Sequence, residues 1–251
     1  MSEAPRKVLF DVGAHFGESL CYALDPRYEF DLIFAFEPSP RCWDHLEKFR
    51  DPRLRICRFG LGPATEDRPL FGSGQIGASL FPDKAGIDAS IVEQVQIKRV
   101  SEWMLSEIKA TDQVYVKINC EGSELEILRE LSRDDVRGRI MSVILTPDLL
   151  KVESLRNNLN QLHEVMSQSS FPCVLRDERH TSKQFEMWLK STGEKGFGLK
   201  SLKFLAGFGQ PWYFVLRQRL AEGLPPWMSR ILFSAFGRKA WKRRLRRVLQ
   251  K

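Results

Sequence analysis

The chain has 251 residues, 43% of them hydrophobic and 28% charged, with a net charge of +7. This balance excludes a disordered or collagen-like chain and suits one globular domain with an appendage. No apolar run reaches the length of a membrane span, and five scattered cysteines (Cys21, Cys42, Cys57, Cys120, Cys173) without a C-x-x-C pair argue against both a disulfide framework and a zinc site.

MSEAPRK runs straight into the first strand, so no signal peptide and a cytoplasmic location are expected. Lys7–Gly17 reads KVLFDVGAHFG: Val8, Leu9, Phe10 and Val12 bracket Asp11, and a glycine turn follows. A continuous apolar run ending in such a turn, before the helical pattern Glu18–Leu24, is a buried parallel strand feeding a helix N-terminus. That geometry suits a nucleotide-type ligand. The turn Gly13-Ala14-His15-Phe16-Gly17 lacks the middle glycine that lets backbone approach a pyrophosphate, which disfavours a dinucleotide dehydrogenase. A ligand without phosphate, such as S-adenosylmethionine, needs no such approach. Asp31–Ser39 (DLIFAFEPS) is a second buried strand ending in Glu37, placed to accept the hydroxyl protons of a ribose.

A helix is expected over Arg41–Arg50, a third strand over Leu54–Leu61, and an irregular hairpin-like insertion over Thr65–Phe81, broken by Pro69, Gly72, Gly74 and Gly77. Val95–Val100 reads as a short strand, followed by a helix from Ser101 through Ile108. Gln113–Asn119 (QVYVKIN) is the fourth core strand, and CEGSELEIL opens a helix through Leu131. Ile140–Thr146 is the fifth, Val152–Ser167 a helix, and Pro172–Arg176 and Pro211–Arg217 the sixth and seventh strands. The alternation implies an α/β fold, a largely parallel sheet with helices on both faces. Trp103 and Trp188 read as core. Asp177, Glu178, Arg179 and His180 form a charged stretch after strand six, and His45, His163 and His180 have no partners at metal-ligand spacing, so no metal is assigned.

Taken in order, VLFDVGAHFG, FAFEPSP, VSEWM and VYVKINCEGSELEIL resemble the FkbM-type methyltransferases over roughly residues 7 to 147. The resemblance implies a Rossmann-like class I methyltransferase fold with a seven-stranded sheet whose last strand is antiparallel. It also implies S-adenosylmethionine as cofactor and O-methylation of hydroxyl groups, often on sugars or glycosylated natural products. The cofactor-binding residues so expected are Asp11, Gly13, Ala14, His15 and Gly17 on the loop, Glu37 and Pro38 at the second strand end, and the small-plus-leucine step Gly60-Leu61 near the adenine. Ser79-Leu80 matches a Ser-Leu pair over the site. Lys117, Glu121, Gly122 and Glu124 match a K-I-D-x-E-G-x-E segment. Asn119 stands where Asp is usual, and His15 where Asn is usual.

Alternation puts Lys117 and Asn119 on one side of their strand, with Glu121 and Glu124 following at the turn. Lys117, Asn119, Glu121 and Glu124 are therefore the candidate catalytic group, converging to hold a hydroxyl and remove its proton. Either acid could instead complement a helix N-terminus, a reading that stands level with the functional one for Glu124 alone. Asn119 cannot be a base, which keeps open a second reading, a catalytically impaired binding or scaffold protein.

Residues 1–224 form the expected methyltransferase domain and 225–251 a basic amphipathic tail. The tail holds nine basic residues and no acids, which leaves the body 30 Lys and Arg against 32 Asp and Glu. A nucleic-acid methyltransferase is disfavoured on that ground. Trp227, Ile231, Ala235, Trp241, Leu245 and Leu249 recur near helical spacing, with Gly237 dividing them, and basic side chains crowd the rest. Such a helix reads as a peripheral anchor on an anionic membrane surface at the cytoplasmic face, or as one docked on the body or on a second copy of the chain.

Overall fold

The protein is described from a computed structural model, over residues 4–176 and 181–193. β1 (Lys7–Val12) is followed by the single turn α1 (Leu20–Ala23), and β2 (Leu32–Phe36) by α2 (Pro40–Leu46), whose first residue is proline, pre-set for a helix start. β3 (Leu54–Cys57) is short. The expected strand Leu54–Leu61 breaks after Cys57, because the chain leaves the main sheet and resumes as β4 (Gly60–Gly62) in a second one. Glycine permits that crossing: a Cβ on Gly60 or Gly62 would sit 2.7 Å from a terminal carbon of Ile97.

β5 (Glu66–Phe71) pairs antiparallel with β6 (Val92–Arg99), and β6 also pairs parallel with β4. Of the expected insertion over Thr65–Phe81 only β5 is a strand, and its partner is β6, which lies beyond those bounds and starts three residues before the short strand expected at Val95. α3 (Val100–Glu107), β7 (Gln113–Ile118), α4 (Glu124–Leu131), β8 (Ile140–Leu145), α5 (Leu159–Gln168), β9 (Cys173–Leu175) and α6 (Thr181–Ser191) complete the described chain. The helix expected from Val152 begins only at Leu159, with 3₁₀ turns before it.

Among the described residues the main sheet has six strands in the order β3-β2-β1-β7-β8-β9, and every pairing is parallel. The expected antiparallel seventh strand, 211–217, lies outside the described residues, as do the charged stretch 177–180 and the tail 225–251. Helices cover both faces. Val8, Phe10 and Val12 of β1 meet α3, α4 and α5, while Leu9, Ile33, Tyr115 and Ile144 meet α1 and α6. Trp103 lies edge-on to Phe10, Phe34 and Phe36, with ring centroids 4.8–5.4 Å away. On the opposite face the fully buried Trp188 donates its indole N–H to Ser142 Oγ at 2.8 Å. Both tryptophans are core, as their apolar settings in the sequence imply.

Candidate functional site

Strand order reverses between β2-β1 and β7-β8, so a crevice opens at the carboxyl ends of β1 and β7, where ligands bind in open α/β sheets. One residue beyond the strand ends, the parallel ladder continues. The amide of Gly13 donates to Phe36 O, Glu37 to Cys57 O, Asn119 to Val12 O, Thr146 to Ile118 O and Arg176 to Leu145 O, at 2.8–3.0 Å. The registers Val12↔Phe36, Ile118↔Leu145 and Leu145↔Leu175 therefore extend by one step. Glu37, Gly13, Asn119, Thr146 and Arg176 form one row across five strands. Alternation puts them on the face that carries Leu9, Ile144 and Val174.

Gly13 is fixed by close approach. Its φ is +73°, and a Cβ there would lie 2.0 Å from Asn119 O. Glu37, 7% exposed, closes the row at one end. Its Oε2 accepts the His15 amide at 2.7 Å and its Oε1 the Ser39 amide at 2.9 Å. Burial pushes its carboxyl above the usual range, and those two N–H groups oppose the shift. Each oxygen keeps a free lone pair.

Directly beneath Gly13 and Asn119, Asp11 and Lys117 are register partners. Lys117 Nζ lies 2.8 Å from Asp11 Oδ1, 2.8 Å from Gly13 O and 3.3 Å from Val12 O. The other Asp11 oxygen accepts the Ser19 hydroxyl. The ammonium thus donates to two carbonyls and is ion-paired with Asp11. Both side chains are buried, at 4% and 0% exposure, and Lys117 touches the cavity edge.

Glu121 has a left-handed backbone, φ +57°, at the strand-to-helix turn. Its Oε2 is 2.7 Å from the Nζ of Lys84, and its carbonyl accepts the Ser79 hydroxyl at 2.6 Å. Lys84 also donates to Gly77 O at 3.2 Å. These contacts fasten the loop between β5 and β6 over the strand ends. Glu124 is wholly buried behind the turn. Its Oε1 accepts the Gly122 amide at 2.9 Å, and its carboxyl is pushed up to about 8 by burial and by Asp148.

The crevice holds a cavity of about 330 Å³, within the range of small-ligand sites. Its walls include Gly13, His15, Glu37, Pro38, Gly60, Leu61, Lys117, Asn119 and Glu121, with Gln75–Ala78 of the overlying loop and Arg176 on the far side. Of the residues expected at the site, Asp11, Ala14, Gly17 and Glu124 stand behind the wall. Gly17 is required by packing, since a Cβ would lie 2.3 Å from the Phe49 ring. Of the expected catalytic group, Lys117, Asn119 and Glu121 border the cavity and Glu124 does not. The three charged members are each committed to a partner: Lys117 to Asp11, Glu121 to Lys84 and Glu124 to the Gly122 amide.

A family model, the methyltransferase FkbM domain, matches residues 11–167, more than half of the chain. The chain belongs to the FkbM methyltransferase family. A solved structure, a methyltransferase FkbM from Methylobacillus flagellatus KT, is similar at 15% identity with a TM-score of 0.39, over 66% of this chain and 38% of that one. The chain therefore spans less than half the length of that relative. No curated protein matches. The FkbM match ends before Arg176, and Lys84 lies inside it in the loop over the site. Sequence reasoning singled out neither residue. Arg176 carried a signal, a cation two residues after Val174 on the same face of an expected strand. Lys84 carried none, because its partner is 37 positions away in an irregular segment.

Proposed function

We propose that this FkbM protein transfers a methyl group from S-adenosylmethionine to a hydroxyl of a sugar, glycan or glycosylated metabolite. The carrying observation is Glu37, a buried carboxylate on the pocket wall with one unused lone pair on each oxygen. It could receive the two hydroxyl protons of a ribose, and Phe36, Leu61 and Ile97 provide an apolar wall beside it. These residues fit the cofactor. When bound, S-adenosylmethionine supplies a methyl carbon on a cationic sulfur.

The chain's own groups would position the acceptor. Glu121 Oε2 is tied to Lys84 while Oε1 has no partner among the described residues, so Oε1 can accept and remove the hydroxyl proton. Asn119 can orient that hydroxyl through its amide but takes no proton. Lys117 acts at one remove, fixing Asp11 and the carbonyl of Gly13, and with them the shape of the loop. A calorimetric comparison of S-adenosylmethionine with NAD tests the cofactor. Mass spectrometry of glycans from a deletion strain, seeking a lost methyl group, tests the acceptor. Cofactor binding without any transfer would favour the scaffold reading, which the commitments of Lys117 and Glu124 support.

The tail, outside the described residues, is proposed as a peripheral anchor on anionic membrane. Among the described residues no helix is long and apolar enough to cross a bilayer. Full-length protein should pellet with phosphatidylserine vesicles at low salt. Replacing Arg243, Arg244, Arg246 and Arg247 by Gln should abolish pelleting, and equal pelleting of the two forms would refute the anchor.

A further inference from the structure

Arg176 is the one cation in the row of strand ends, and among the described residues it has no ion-pair partner. It sits beside Thr146 and two strands from Asn119, on the face that holds Asp11 and Lys117 one pleat below. Its guanidinium lies over the Phe185 ring, 5.6 Å from the centroid, and borders the cavity. Its Nε is buried and has no hydrogen-bond partner. Among the described residues no carboxylate comes within ion-pair distance. Asp11 and Asp148, the acids whose field reaches it, are already engaged at 2.8 Å by Lys117 and at 2.7 Å by Lys151. The neighbouring Thr146 hydroxyl, 4% exposed, also lacks a partner. The first turns of α6 line the same wall through Ser182 and Phe185.

A half-buried guanidinium whose Nε finds no acceptor is costly unless something supplies one. Burial already pushes Arg176 below its ordinary range, although a guanidinium keeps its proton. A planar oxyanion matches its fork of donors.

We propose that Arg176, on the cavity wall with a buried and unpartnered Nε, seats a carboxylate or phosphate group carried by the methyl acceptor. Glu37 lies four strands away and Gly13 three, about 14 Å at ordinary strand spacing. That distance puts Arg176 at the opposite end of the crevice from the ribose acid, on the acceptor side. The word acceptor rests on the methyl-transfer reading, whereas the anion site stands without it.

The test titrates full-length protein with inorganic phosphate and with glucuronate, using glucose as the neutral control, with and without S-adenosylhomocysteine. Wild type should bind the anions at least about tenfold more tightly than Arg176→Gln, with Arg176→Lys between them and with unchanged S-adenosylhomocysteine affinity. Arg176→Lys keeps the positive charge but not the planar fork, and it serves if Arg176→Gln fails to fold. Equal anion affinity in wild type and variants, or none in wild type, overturns the site. Loss of S-adenosylhomocysteine affinity in Arg176→Gln with methylthioadenosine affinity intact would assign the guanidinium to the cofactor's carboxylate and overturn the acceptor assignment. If the protein binds no S-adenosylmethionine, the methyl-transfer reading fails, and the cofactor-free titration still judges the anion site.

Discussion

Lys117 and Asp11 face each other across adjacent strands, Nζ to Oδ1 at 2.8 Å, and both are buried. A lysine in a buried strand thus finds its reason in a carboxylate at the same register position. Removing one member of a buried pair leaves a charge without compensation and costs about 3–5 kcal/mol. Lys117→Met should lose stability on that scale in urea melts, and the double change with Asp11→Asn should recover part of it. A Lys117→Met protein that melts like wild type but transfers no methyl group would instead put the ammonium on the substrate.

Glu37 offers its two remaining lone pairs to the pocket while its backbone acceptor bonds hold the turn. Hydrogen bonds to a charged group are worth about 1.5–3 kcal/mol each. Glu37→Gln should therefore weaken S-adenosylmethionine by at least tenfold in calorimetry. The amide would also set a donor against the His15 or Ser39 N–H. Unaltered affinity would remove Glu37 from the cofactor site.

Lys84 ties the loop between β5 and β6 to Glu121 with side chains 3% and 15% exposed. Lys84→Met should raise hydrogen exchange near residues 77–84, because the tie to the Glu121 turn then rests on the Ser79 hydroxyl, while Ala85 stays bonded to Lys151 O and Asp83 to the Ser154 amide. Glu121→Gln should lower turnover by about 10² with cofactor affinity nearly unchanged. Full activity in Glu121→Gln would end the assignment of Glu121 as proton acceptor.

The parts of this fold that speak through local pattern were legible in the sequence. Apolar runs ending in Gly13, Glu37 and Asn119 mark three adjacent strand ends, and the sheet brings them to one crevice wall. What local pattern does not carry is pairing across distance. Lys117 and Glu121 are four positions apart and read as partners, yet their charges are met by Asp11 and Lys84, 106 and 37 positions away. The break of the third strand at Cys57 escaped for the same reason. Gly60 and Gly62 pass close to the Ile97 side chain of β6, a contact that no local pattern announces.

Glu124 offers a test of burial through pH. Its carboxyl is pushed up to about 8, first by burial and then by Asp148, while Oε2 has no hydrogen-bond partner. Unfolded, it would titrate near ~4.3. Below that pH both states are protonated and the group is neutral toward folding. Between the two values the unfolded chain releases a proton that the folded chain keeps. Stability from this group therefore falls as pH rises, by at most ~1.4 kcal/mol per pH unit, and levels off above about 8. Asp148, raised by burial and by Glu121, acts in the same direction over the lower part of that window. Glu124→Gln keeps the neutral shape and cannot ionise in either state. Its advantage over wild type should be smallest near pH 4.5 and grow steadily to pH 8 in melting-temperature scans. Taking the difference between the two proteins cancels the opposing slopes of paired acids such as Asp112, whose carboxyl is held below the usual range by Arg6 and the Lys109 amide. A difference that stays flat from pH 5 to pH 8 would mean that Glu124 is ionised inside the fold.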